Sequence, residues 1–151
     1  MSRLVISPRH LQTIARHAMA SYPEECCGVL IGRSLEDTTV VERLLSVGNE
    51  RQDSRHNRYL ISPETVLAAQ KEARGLGLEI VGYYHSHPDR PARPSEFDRE
   101  NAWPWVSYLI VSLQGRKVAD TRSWRLKEAH GSFEEEMIDQ AALGILHKEA
   151  V

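Results

Sequence analysis

The chain has only two cysteines, Cys26 and Cys27, and they are neighbours. Adjacent cysteines rarely bridge to each other, so a disulfide framework is excluded and a reducing cytoplasm is the expected setting. Long apolar runs are missing too. No stretch approaches the roughly 20 residues of a membrane span. The N-terminal MSRLVISPRHLQ has neither a long apolar segment nor a small-residue cleavage site, so no secretory signal is expected. Positive charge is not in excess: 19 Lys and Arg against 21 Asp and Glu leave a net charge of -2, which argues against a general nucleic-acid binder. Internal repeats and low-complexity linkers are absent. What remains, 151 residues with 41% hydrophobic and 26% charged side chains, fits one soluble domain with a real core.

Ser7 and Pro8 mark a helix start, and Leu11, Ile14, Ala15 and Ala18 then share one helical face up to Pro23. CCGVLIG and the branched TTVVERLLSVG read as strands, NERQDSRHN as a polar loop and RYLIS as a short strand. Ser62 and Pro63 repeat the helix start, and PETVLAAQKEARG predicts a helix closed by Gly75. LEIVGYYHSH is a strand. RPARP cannot be regular structure, because its prolines remove donors and fix the backbone. VSYLIVSL reads as a central strand, and QGRK as the turn into a further strand, VADTRSWRL. The tail, EEEMIDQAALGILHKEA, has some helical periodicity interrupted by Gly144. Strands mixed with two or three helices indicate a layered α/β or α+β domain.

The densest chemistry lies in YYHSHPDRPARPSEFD, residues 83–98. His85 and His87 are two apart on a strand end, so both rings point to one face. Ser95 is placed as an N-cap, with Asp98 one turn later, which would return Asp98 over the histidine pair. Two His, one Asp and an open fourth position form a catalytic-zinc arrangement. A serine-hydrolase triad is disfavoured, since neither Ser86 nor Ser95 sits in a G-x-S-x-G elbow. The H-x-H-x-D start of metallo-β-lactamase-type hydrolases continues with a histidine, whereas Arg90 stands here.

The spacing H-x-H-x7-S-x2-D, with a glutamate three residues before a glycine upstream, resembles the JAMM (MPN-plus) metalloproteases. YPEECCGVLIG, NRYLISPETV, GYYHSHP and WPWVSYLIVSL are similar in order and spacing to the short bacterial members. The resemblance covers about residues 8–125, with a motif core over 22–125 and little in the tail, 126–151. It implies a single JAMM/MPN domain over 1–151, a mixed β-sheet flanked by helices in a cytidine-deaminase-like fold. It further implies one zinc ion held by His85, His87 and Asp98 with a water as fourth ligand. Glu25 would be the general base and Ser95 the donor to the oxyanion. The implied reaction is hydrolysis of a peptide or isopeptide bond at the Gly-Gly terminus of a ubiquitin-like or sulfur-carrier protein of the ThiS/MoaD type. Alternatives are a catalytically silent MPN scaffold, which would have lost motif residues, and a peptidase of cell-wall or phage-related peptides.

Other residues take plainer readings. Cys26 and Cys27 read as small buried strand residues, with Cys27 on the face of Glu25. His10, His17, His56, His130 and His147 lack paired spacing and read as surface or capping residues. Trp103 and Trp105 read as core or rim packing. Arg90 and Arg93 are either solvated or in touch with substrate.

Overall fold

The computed structural model describes residues 2–49, 61–128 and 131–140. Along the chain run β1 (Arg3–Val5), α1 (Pro8–Ser21), β2 (Cys27–Leu35), β3 (Thr38–Val47), α2 (Pro63–Gly75), β4 (Glu79–Pro88), α3 (Glu96–Glu100), β5 (Ser107–Gln114), β6 (Lys117–Leu126) and β7 (Phe133–Asp139). Both long helices begin at the Ser-Pro pairs. Ser7 Oγ accepts from the His10 amide at 3.0 Å and Ser62 Oγ from the Thr65 amide at 3.2 Å, each satisfying one orphan donor of the first turn. The stop of α2 differs from the expectation. Gly75 is its last helical residue, and the left-handed glycine is Gly77, at φ 71°. The Leu78 amide donates to Ala73 O and the Gly77 amide to Arg74 O, the paired bonds of a Schellman cap.

The strands close into a barrel in the order β1-β3-β2-β4-β5-β6-β7. β4 pairs antiparallel with β2 and parallel with β5, so it lies inside the sheet with a neighbour on each side. Alternation along these strands makes two cores. Leu30, Tyr84, Leu109 and Val111 pack with Ile14 and Ala18 of α1. Val29, Ile31, Tyr83 and Tyr108 pack on the other face with Ala69 and Ala73 of α2. The mixed, helix-flanked sheet agrees with the expected class. Its closure was not foreseen, because it depends on the two strands that the sequence hides.

One of these is β1, three residues long, which lies parallel to both β3 and β7. The other is β7, formed where helical periodicity was read in the tail. Phe133–Asp139 pairs antiparallel with β6, and its Glu136 is buried, accepting from Ser123 Oγ at 2.7 Å beside Arg125. Pairing with β6 and burial of one glutamate override a local pattern that favours helix. The remainder of that tail segment, 141–151, lies outside the described residues. So do most of the polar loop and residues 58–60 of the expected short strand, whose last two residues, Ile61 and Ser62, are not in strand.

Gly82 shows how tightly β4 and β5 meet. A Cβ there would stand 2.2 Å from Ser107 O, a backbone atom that cannot step aside. Gly82→Ala is therefore expected to cost about 3 kcal/mol, lowering Tm by about 10 °C in thermal unfolding followed by circular dichroism.

Candidate metal centre

His85 and His87 occupy the end of β4 on the Tyr83 face and are 0% and 1% exposed. Ser86, between them, points the other way, where its Oγ accepts from the Cys26 amide at 2.8 Å. That bond ties the segment just before β2 to β4 and sets Glu25 beside the histidines. Ser95 caps α3 as the spacing predicts. Its Oγ accepts from the Asp98 amide at 3.1 Å while Asp98 Oδ2 accepts from the Ser95 amide at 2.8 Å, a reciprocal capping box. The box fixes the Asp98 carboxylate against the histidine pair.

Three atoms converge. His85 Nε2 and His87 Nε2 are 3.1 Å apart, and Asp98 Oδ2 lies 3.3 Å from the first and 3.1 Å from the second. Ligand atoms about 2.0 Å from a tetrahedral ion are separated by about 3.3 Å, so the triangle has the edge length of one face of a zinc site. Tautomer chemistry supports the same fit. His87 Nδ1 lies 2.8 Å from Pro91 O, which can only accept, so Nδ1 carries a hydrogen and the neutral ring aims the Nε2 lone pair at Asp98. A proton satisfies one pair of these atoms, whereas a cation at the centre satisfies all three. Metal-ligating histidines commonly donate their other N–H to a carbonyl in this way. Burial, the largest influence on Asp98, pushes its carboxyl up. The His85 charge and its hydrogen bond outweigh it and hold Asp98 well below the usual carboxylate range.

Glu25 approaches the pair from another side. Ligand atoms of Glu25, His85 and His87 lie within 4.8 Å of one another, a group that could also hold a metal ion. Glu25 is only 1% exposed, while its neighbour Glu24 is exposed, so burial separates two glutamates that look alike in sequence. Burial raises Glu25 to about 7, against the positive charges of His85 and Arg90 and reinforced by the negative charge of Asp98. A carboxylate near neutrality can both take and give a proton. Two carboxylates therefore flank one histidine pair. Asp98 is locked to both rings by its cap, and Glu25 stands with the poise of an acid–base group.

Sequence reasoning missed some of the surroundings. Arg90 Nη2 lies 3.5 Å from Glu25 Oε1, although three residues past His87 was the only hint of it. On the far side of Asp98 a cavity of about 270 Å³ is lined by Val66, Tyr83, Phe97, Trp103 and Tyr108 among others. Trp103 and Trp105 are 64% and 62% exposed, so neither is a core residue. Cys26 and Cys27 are buried thiols outside any disulfide, as expected. Burial lifts the Cys26 thiol to about 11. His17 is not merely a surface residue: its Nδ1 meets Tyr84 Oη at 2.8 Å. His56, His130 and His147 lie outside the described residues.

The family model of prokaryotic homologs of the JAB domain matches residues 7–127. The chain belongs to that family. Among curated relatives of this JAB-domain chain, a desampylase of Haloferax volcanii is 37% identical over 123 residues, covering 78% of this chain and 86% of the relative. A protein of Thermus thermophilus, described as a probable TtuB-protein conjugate cleaving protease, is 33% identical over 105 residues, covering 70% and 67%. A solution structure of a Desulfitobacterium hafniense protein superposes with a TM-score of 0.77 at 34% identity, over 93% of this chain and 92% of that one. The fold is thus the JAB/MPN fold.

Proposed function

We propose that this chain is a zinc-dependent hydrolase that cleaves a peptide or isopeptide bond after the C-terminal Gly-Gly of a ubiquitin-like or sulfur-carrier protein. The triangle of His85, His87 and Asp98 beside a buried Glu25 is the observation that carries this reading. The Haloferax and Thermus relatives, a desampylase and a probable TtuB-protein conjugate cleaving protease, support the substrate class. His85, His87 and Asp98 would hold one zinc ion. Bound there, zinc supplies Lewis-acid polarisation of the scissile carbonyl and lowers the pKa of the attacking water.

The protein's own groups do the rest. Glu25, buried beside the histidine pair, accepts the proton of the attacking water and passes it to the leaving amine. Ser95 Oγ accepts in its cap and so retains its own proton to donate to the developing oxyanion. The Val66, Tyr83, Phe97, Trp103 and Tyr108 cavity gives the acyl side of an extended tail an apolar wall. Glycines next to the scissile bond would let that tail pass close to the buried histidines. Cys26 and Cys27, neither in a disulfide, suit a reducing compartment, and we place the enzyme in the cytoplasm.

Ser95 allows its two roles to be separated. Ser95→Ala should lower kcat by about 10²- to 10³-fold, the usual loss for one oxyanion donor. It should also cost about 1 kcal/mol of cap energy, whereas Ser95→Gly costs only a few tenths. Equal loss of kcat in both variants, with stability lost only in Ser95→Ala, assigns the hydroxyl to catalysis. Steady-state kinetics and thermal melts read the two effects.

The reading as a whole is tested by incubating the protein with a ThiS/MoaD-type carrier extended past its Gly-Gly and weighing the products. Release of the extension at the Gly-Gly terminus, stopped by a chelator, is expected. An intact carrier in the presence of zinc would overturn it.

A further inference from the structure

We infer that Arg90 is a specificity-determining residue that binds the free α-carboxylate of the leaving amino acid. The inference rests on the hydrolase reading above and narrows its substrate to tails that end one residue past the scissile bond.

The placement begins in the loop after β4. Asp89, at φ 55°, accepts from Tyr22 Oη and from the Gly115 amide, which fixes the turn out of the strand. Ser112 Oγ then donates to Arg90 O, and Pro91 O accepts from His87 Nδ1. Arg90 therefore projects from backbone pinned on both sides. Its Nη2 lies 3.5 Å from Glu25 Oε1, and its side chain is 32% exposed while that of Glu25 is 1%. The guanidinium thus forms the outer, solvent-reaching side of a pair whose inner member faces the histidines.

Chemistry supplies the occupant. Glu25 can hand a proton to the leaving amine only from hydrogen-bond distance, about 3 Å. In an amino acid released from its carboxyl-terminal position, the amine nitrogen and the nearer carboxylate oxygen are about 3 Å apart across the three bonds N–Cα, Cα–C and C–O. A guanidinium 3.5 Å from the proton donor is then within reach of that carboxylate. Glu25 oxygen, amine, carboxylate and Arg90 nitrogen can close a four-cornered figure with no stretched side. Arg is suited to the task because its planar fork matches a carboxylate. A leaving lysine ε-amine offers nothing comparable: its own carbonyl is four methylenes further away and is an uncharged amide. Arg90 therefore favours removal of a single carboxyl-terminal residue over cleavage of an isopeptide.

The test uses three forms of one carrier: extended by one residue as the free acid, the same residue as the C-terminal amide, and an isopeptide conjugate. Zinc-loaded protein should cleave the acid with kcat/KM about 10- to 100-fold above the amide, the usual worth of a hydrogen-bonded charge. Arg90→Gln should bring that ratio close to one, and Arg90→Lys should restore part of it. Binding gives an independent readout. In a Glu25→Gln background the acid should bind tighter than the amide, and adding Arg90→Gln should remove the difference. An acid-to-amide ratio near one in the unsubstituted protein, or equal losses on acid and amide in Arg90→Gln, would overturn the inference while leaving the hydrolase reading intact. Acid-selective binding without cleavage of any carrier would do the reverse.

Discussion

Asp98→Ala is expected to lose metal and activity together, from near one zinc per chain to almost none. Asp98 Oδ2 is one corner of a triangle whose sides are 3.1 to 3.3 Å, so its removal leaves two neutral imidazoles and no anionic ligand. Dropping from three protein ligands to two also leaves the ion mostly to solvent. The same change removes half of the capping box, since Asp98 accepts the Ser95 amide. That part costs about 1 kcal/mol and is not enough to unfold the domain. Asp98→Asn separates the effects. Its amide oxygen can still accept from Ser95, but it carries no charge, so the fold is retained while zinc is lost. Elemental analysis of dialysed protein, paired with a thermal melt, checks both statements.

Glu25→Gln is expected to give the opposite signature: zinc retained, turnover lowered by about 10²- to 10⁴-fold, the usual contribution of a general base. Glutamine has the size of glutamate, so the buried position is not hollowed out, and the amide cannot accept the water's proton. Zinc retention matters because Glu25 also lies within ligand distance of both histidines as a possible member of the metal group. If Glu25 were a ligand, Glu25→Gln would lose zinc as Asp98→Ala does. The two variants together therefore decide which carboxylate binds and which transfers protons. Removing the buried charge also leaves Arg90 without that counter-ion. The Arg90→Gln double variant shows whether this matters to stability.

Much of the centre was legible because it is local. His85 and His87 share a strand face, and the Ser95 to Asp98 spacing is one capping box, so the three corners of the triangle follow from the short range of the chain. The Ser-Pro starts of α1 and α2 are equally local. Long-range features were not legible. Glu25 was set apart from Glu24 only through the resemblance, by its spacing before Gly28; what draws it inward is the Ser86 to Cys26 bond, a contact between β4 and the segment before β2. β1 is too short to show a period, and β7 carries glutamates whose pairing with β6 is settled by closure of the barrel. The α2 stop went to Gly77 instead of Gly75, since either glycine could take the left-handed position and only the Leu78 and Gly77 bonds choose. Tryptophans 103 and 105 show the limit from the other direction: large apolar residues suggest a core, yet here they stand at the surface, with Trp103 on the rim of the cavity beside Asp98.

The central claim is that the His85, His87 and Asp98 triangle holds the zinc that the reaction needs. Its most direct measurement is zinc titration of chelator-treated protein, followed by carrier cleavage at each point. Cleavage should rise in proportion to zinc and level off at one equivalent per chain, and His87→Ala should bind none and cleave nothing. Full cleavage by the metal-free protein, or unchanged zinc binding in His87→Ala, would contradict it.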